Sequence, residues 1–466
     1  MNEIIFTDAL SLRGLMLKKE ISAEEVMEAT INRLEAVEPK INAFSAVVAE
    51  KAMDEARAAD AALAKGKPVG PLHGLPLSVK DLINVGGLPT TFGSRIAKDN
   101  WVNDDAPSVE RARLNGACII GKTTTTEFGC KAGGGDSPLT GITRNPWNLE
   151  RTTGGSSAGA AASVSAGVTP FALGTDGGGS IRIPAALCGL FGIKAQFGRV
   201  PVYPTSATPT LAHVGPLSRT VRDSALLLSA ISGFENRDPF SVAQDVPDYL
   251  ACCDESIVGK RIVWSPTLGY AKPSAEVLSI CEKAVKKLES LGCQVDLVDD
   301  LLGIDPIELW NAEFYAGAGT RLKSALENSR ELLDPAVAET LDLALVQKID
   351  EYYEKVFARY AFRDQVREIF SKHDLIVTPT LPVDAFDAGT NVPPSLAGHS
   401  IVSWVYYTYP FNLTGNPAAS LPCGFTSAGL PVGLQLIGGT NNEADIFRVA
   451  SEYEASQSAG SLRPNI

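Results

Sequence analysis

Apolar positions along this chain follow two spacings. Val26, Ala29, Leu34 and Val37 recur at helical intervals, and Ser22 with Glu25 supplies a capping box that opens a helix over 23–37. Alanine-rich 48–64 continues in the same manner, so the first 65 residues read as a helical region. Beyond it, short apolar runs bounded by turn residues read as strands: 75–79, 118–120, 170–173, 261–264, 293–297, 375–377 and 432–437. Amphipathic stretches at 107–115, 220–232, 274–291 and 340–372 read as helices between them. Alternation of this kind predicts an α/β fold built on a largely buried mixed sheet. Segment 233–260 has the weakest pattern. The apolar run at 432–437 predicts that the C-terminal third returns to the same sheet.

Composition narrows the class. The 466 residues are 45% hydrophobic and 20% charged, which is ordinary globular usage. A net charge of −13, with Lys and Arg scattered, argues against a nucleic-acid partner, which needs a basic face. The N-terminal stretch carries Glu3 and Asp8 and no uninterrupted apolar core, unlike a signal peptide. No run of about 18 apolar residues suggests a membrane span. Eight cysteines without a CxxC spacing read as reduced core thiols in a cytoplasmic protein. The four histidines are far apart, so neither metal nor cofactor is expected.

Residues 116–123, GACIIGKT, match the phosphate-loop pattern GxxxxGK[ST] letter for letter. That loop works only in the order strand, loop, helix, which points backbone N–H groups and a helix N-terminus at the phosphates. Here 107–115 reads as a helix, Gly116 as its C-cap and 118–120 as a buried strand. The order is reversed, and nucleotide binding is not expected.

The chemistry concentrates in 152–184. Two Gly-Ser nodes, Gly154-Gly155-Ser156-Ser157 and Gly177-Gly178-Gly179-Ser180, bracket a stretch of small residues. A serine beside consecutive backbone amides unites a nucleophile with oxyanion stabilisation. Either node alone is equally a Gly-rich turn. No histidine lies in a comparable setting, so a Ser-His-Asp triad has little support. The candidate base is Lys80, at the C-terminal end of the 75–79 run, where α/β active sites gather. A lone lysine there is usually a surface residue or an ion-pair partner; burial among apolar groups disfavours its charged form, which would let it take a proton.

These segments resemble the amidase signature family over nearly the whole chain. HGLPLSVKDLINVGGLPTTFGS (73–94) resembles its lysine segment; DAPSVERARLNGACIIGKTTTTEFG (105–129) and TRNPWN (143–148) resemble the blocks that follow. GGSS through SIRIPA (154–185) is the signature, with the family's spacing between Ser156 and Ser180. VGPLSRTVRDSALLL (214–228) and FNLTGNPAASLPCGF with GLPVGLQLIG (411–438) match later blocks. The resemblance implies one large domain with a central mixed, twisted sheet covered by helices on both faces. Within it lie the helical region 1–65, a signature core at about 66–232 and a variable substrate-shaping region at about 233–410.

Carried to this sequence, the resemblance implies Ser180 as nucleophile and Ser156, after a cis Gly155–Ser156 peptide, as proton bridge to a neutral Lys80. Backbone N–H groups from Gly177, Gly178, Gly179 and Ser180 are expected to bind the oxyanion. Ser157, Thr175, Asp176 and Arg182 are expected to support the site. Loop 130–135, beginning at Cys130, is expected on the leaving-group side. Two positions depart from the family: Ala158 stands where a glycine is usual, and Gly177 where Thr or a larger residue is common.

The implied activity is hydrolysis of a small or aromatic carboxamide, with a small-molecule amide as partner and a homodimer left open. The alternative is the glutaminase subunit of a tRNA-dependent amidotransferase complex. Such subunits commonly carry an acidic stretch before the VGP-like block, whereas Thr210-Leu211-Ala212-His213 has no carboxylate. Aromatic clusters at Trp310 with Phe314-Tyr315, and Trp404 with Tyr406-Tyr407-Tyr409, can line an apolar pocket or simply pack the core.

Overall fold

A computed structural model describes residues 4–457 and 463–466. Eleven strands form one mixed sheet: β1 (Phe44–Val47), β2 (Pro76–Lys80), β3 (Cys118–Thr123), β4 (Phe171–Asp176), β5 (Phe191–Lys194), β6 (His213–Ser218), β7 (Arg261–Trp264), β8 (Gln294–Leu297), β9 (Leu375–Pro379), β10 (Ala418–Phe425) and β11 (Pro431–Gly438). Their spatial order is β1-β3-β2-β4-β6-β5-β10-β11-β9-β7-β8. β3, β2 and β4 run parallel, as do β9, β7 and β8, while the strands between pair antiparallel. Strand β11 lies inside the sheet, so the C-terminal third does return to it. β2, β3, β6, β9 and β11 are buried along their whole length, as strands inside a sheet covered on both faces are.

Helices cover the sheet, and three apolar clusters fill the space between layers. Helix Ala23–Ile41 opens with the expected capping box: Ser22 Oγ accepts from Glu25 N–H while the Glu25 carboxylate accepts from Ser22 N–H. Such a cap contributes about 1 kcal/mol. The helix runs four residues past the expected end and stops at Asn42, which adopts the left-handed conformation. The N-terminal region is not wholly helical, because edge strand β1 separates this helix from Ala49–Ala64 and pairs with β3.

The expected helix 340–372 is two helices, Pro335–Leu345 and Ile349–Ile369. Strand β6 escapes the apolar pattern because Pro216 lies within a doubly paired strand. Strand β10 carries Pro422 beside a register shift against β11. The phosphate-loop look-alike has the reversed order: helix Pro107–Leu114, Gly116 at φ +93°, then β3. Its Lys122 is buried and ion-paired with Asp81 at 2.9 Å.

Candidate active site

Strands β2 and β4 are parallel neighbours, Val79 opposite Leu173, so their C-terminal ends open on one edge of the sheet. Lys80 is the last residue of β2, and Thr175 and Asp176 end β4. The Lys80 side chain is wholly buried, with Nζ 2.7 Å from Ser156 Oγ and 2.8 Å from Thr175 Oγ1. Burial pushes its pKa well below the ordinary lysine value, against the upward pull of Asp176. Ser156 follows a cis Gly155–Ser156 peptide bond, as expected, just before helix Ala158–Ser165. Gly129, at φ +72°, comes so close that a Cβ there would lie 3.1 Å from Ser156 Oγ.

Asp176 and Arg182 hold the second node in place. Arg182 donates from Nε and Nη2 to the two Asp176 oxygens at 2.9 Å each. It also donates to Thr408 O (2.9 Å), Gln435 Oε1 (2.7 Å) and Asn412 Oδ1 (2.7 Å). Burial alone would raise the Asp176 carboxyl; the charge and hydrogen bonds of Arg182, with Lys194 and Asn412, outweigh it and hold the group well below the usual carboxylate range. Arg182 is thus a buried strut tying the signature to the 408–412 segment, wholly shielded from solvent. Ser157 is a strut too: its N–H donates to Ser180 O at 3.2 Å and its Oγ donates to Thr175 O at 3.2 Å.

Outside contacts orient the amides of the Gly-rich loop. Gly177 O accepts from Trp310 Nε1 (2.8 Å), and Gly178 O accepts from Thr408 Oγ1 (2.6 Å). In a trans peptide the following N–H points opposite to the carbonyl. Gly178 N–H therefore faces away from Trp310, and Gly179 N–H away from Thr408. Gly179 N–H donates to Asp176 Oδ1 at 2.7 Å. Of the four amides expected to face an oxyanion, that of Gly179 is already committed within the loop, leaving Gly177, Gly178 and Ser180. At Gly177, one of the two departures, a Cβ would lie 2.8 Å from Phe314 Cε2, so a larger residue there would displace that ring. At Gly178 a Cβ would lie 2.6 Å from Trp310 Cζ2. Ala158, the other departure, is fully buried at the start of its helix.

Ser180 lines two cavities. A cleft of about 520 Å³ is bordered by Ser156, Thr175, Gly177, Phe128, Tyr203, Thr208 and Arg321, among others. A cavity of about 20 Å³ is bordered by Gly178, Ile183, Trp310, Phe314, Val402, Val405 and Tyr409, with Gly129, Lys131 and Ala132. Cys130 lines neither: it is buried, and its carbonyl accepts from Tyr315 OH at 2.9 Å. Of the loop 130–135, Lys131 and Ala132 border the small cavity instead. The aromatic clusters divide as well. Trp310, Phe314 and Tyr409 face the small cavity, while Tyr315, Trp404, Tyr406 and Tyr407 are core residues. His213 borders the cleft, but burial and the Lys194 charge keep its pKa well below the histidine value.

Sequence reasoning missed Gly129, Ile183, Val402, Val405, Thr408, Asn412 and Gln435. Asn412 and Gln435 lie in the 411–438 block, whose pattern marks their segment without their contacts to Arg182. Among the described residues no group of His, Cys, Asp and Glu is arranged to hold a metal ion, and no helix is long and apolar enough to cross a membrane.

Residues 25–447 match the Amidase family profile. An acylamidase of Rhodococcus erythropolis is 35% identical over 463 residues, 98% of this chain and 96% of its own. A glutamyl-tRNA(Gln) amidotransferase subunit of Moorella thermoacetica is 38% identical over 491 residues, 100% of this chain and 99% of its own. The crystal structure of a bacterial aryl acylamidase of the amidase signature family matches with a TM-score of 0.90 at 28% identity, covering 97% of this chain and 96% of that one. A 6-aminohexanoate cyclic dimer hydrolase solved with its substrate matches equally, with a TM-score of 0.90 at 28% identity and 99% of both chains covered. The chain belongs to the amidase signature family, and it is a hydrolase of amide carbon–nitrogen bonds.

Proposed function

We propose that Ser180 is the nucleophile, Ser156 the proton relay and Lys80 the base in an acyl-enzyme mechanism. The observation that carries this reading is the buried Lys80 amine 2.7 Å from Ser156 Oγ, with its pKa pushed well below the lysine range. In its neutral form the amine turns its lone pair to Ser156 and donates an N–H to Thr175 Oγ1. As Ser180 Oγ attacks the carbonyl carbon, its proton passes to Ser156 and the Ser156 proton to Lys80. The amides of Gly177, Gly178 and Ser180 receive the oxyanion. Collapse breaks the C–N bond while Ser156 returns a proton to the amine, and water then releases the acyl group along the same relay.

The substrate side of this reading draws on the variable region, since helix Ile307–Asn328 and segment 401–410 supply the small cavity's aromatic and valine lining, Trp310, Phe314, Val402, Val405 and Tyr409. An apolar amide fits them. The second reading, a glutaminase subunit, has the support of full-length similarity to amidotransferase subunits. Against it, Thr210–His213 has no carboxylate, and the nearby Glu313 is paired with Arg359. Eight unpaired cysteines support a reducing, cytoplasmic setting.

The test is amide hydrolysis by the purified chain on glutamine, asparagine, aliphatic amides and anilides, read as ammonia or amine release. Activity on anilides without a partner chain, lost in Ser180→Ala and Lys80→Ala, is expected. Activity confined to glutamine would select the glutaminase reading, and activity retained in either variant would overturn the relay.

A further inference from the structure

Ser180 stands where two cavities of unequal size meet, and Ser156 borders only the larger. On the proposed mechanism, the amine nitrogen leaves with a proton delivered by Ser156. The nitrogen and its substituent must therefore lie on the Ser156 side, in the 520 Å³ cleft. The carbonyl carbon is bonded to Ser180 Oγ and its oxygen faces the loop amides. The acyl arm is left with the small cavity beside Gly178.

Volume then decides the substrate. The acyl cavity holds about 20 Å³, and a single water needs about 10–15 Å³ of such space. It takes a group the size of a methyl or ethyl. The cleft lies within the range of about 300–1,000 Å³ that accepts drug-sized molecules. The walls of the small cavity are pinned. Trp310 stacks on Phe314 with centroids 4.3 Å apart and donates to Gly177 O, and Tyr409 OH donates to Asp305 Oδ1 at 2.6 Å. Its one charged neighbour, Lys131, is held between Asp136 (2.9 Å) and Asp334 (2.6 Å), so no unpaired charge faces the acyl arm.

We propose that this enzyme hydrolyses short-chain N-acyl amides of bulky amines, with an acetyl- or propionyl-sized arm beside Val405 and Trp310 and an aryl or larger amine in the cleft. The C–N bond breaks to give a short-chain acyl ester on Ser180 and the free amine, and water converts the ester to a short carboxylate. Lys131 and Ala132 then belong to the acyl side, the reverse of the side expected from sequence for loop 130–135. Glutamine has neither room nor a counter-charge for its ammonium in this cavity.

The experiment uses the purified full chain on one aryl amine carrying acetyl, propionyl, butyryl or hexanoyl groups, beside benzamide, hexanamide and glutamine. Acetyl or propionyl anilide should give the highest kcat/KM, with about a tenfold or greater fall by hexanoyl. Both should exceed benzamide and hexanamide by a similar factor. Val405→Ala and Val402→Ala should each move the optimum toward butyryl or hexanoyl. Faster hydrolysis of hexanamide or benzamide than of acetyl anilide would overturn the orientation while leaving the Ser180 reading intact, as would an unmoved optimum in both variants. Hydrolysis of none of these amides would overturn both.

Discussion

Ser180 faces two walls built on different principles. The signature wall, from β2, β4 and the 154–184 segment, is polar yet buried: Lys80, Ser156, Asp176 and Arg182 are almost wholly shielded, and each has hydrogen-bond partners. The opposite wall, from helix Ile307–Asn328 and segment 401–410, meets the cavity with Trp310, Phe314, Val402, Val405 and Tyr409. A buried polar network tolerates little change, because each lost partner strands another group without water. An apolar wall tolerates resizing at modest cost. On the proposed mechanism, the bond that breaks is set by one wall and the molecule containing it by the other.

Removing the chemistry itself has the largest expected effect. Ser180→Ala should lower kcat by about 10⁴-fold or more with the fold unchanged, measured by amine release and circular dichroism. Lys80→Met follows, with a loss of about 10³-fold. In the wild type a lysine with a lowered pKa is neutral above that value, so kcat/KM should fall as pH drops through it and the ammonium forms. The Met variant should lose that acid limb, and an unchanged limb would move the base to another group. Arg182→Met tests the strut: it leaves the buried Asp176 charge without its main partner and should cost about 3–5 kcal/mol of stability. A denaturation midpoint close to wild type would contradict this.

Between the walls lies Trp310, which shapes the cavity and also holds Gly177 O. Trp310→Phe keeps a ring and removes the N–H, so the Gly178 amide loses its brace. A fall in kcat of about tenfold with little change in KM is expected, as for an interaction made only in the transition state. A change in KM alone would make Trp310 purely a wall. Smallest of all, Cys130→Ser should leave kcat/KM within about twofold, since its side chain reaches neither cavity.

The two walls were also unequally legible in sequence. On the signature side, Gly-Ser nodes and a lysine ending an apolar run raise Lys80, Ser156 and Ser180 as candidates, and the family resemblance over several ordered blocks singles them out. The apolar wall leaves no such trace. Helix Ile307–Asn328 contains Gly317 and Gly319 and wraps apolar residues around much of its circumference, which blurs the helical period. Val402 and Val405 are ordinary valines whose meaning comes only from what they face. Nor does sequence distinguish one loop amide from another. It takes Thr408, some 230 residues away, to orient Gly178 O, and with it the Gly179 N–H toward Asp176.

The central claim is that Ser180 carries the acyl group during amide hydrolysis. The direct measurement is an acid quench of turnover on the best amide substrate, followed by peptide mass mapping. The acyl mass should appear on the peptide containing Ser180, build up before steady state and vanish in Ser180→Ala. An acyl group found on another residue, or full turnover by the Ser180→Ala protein, would contradict the claim.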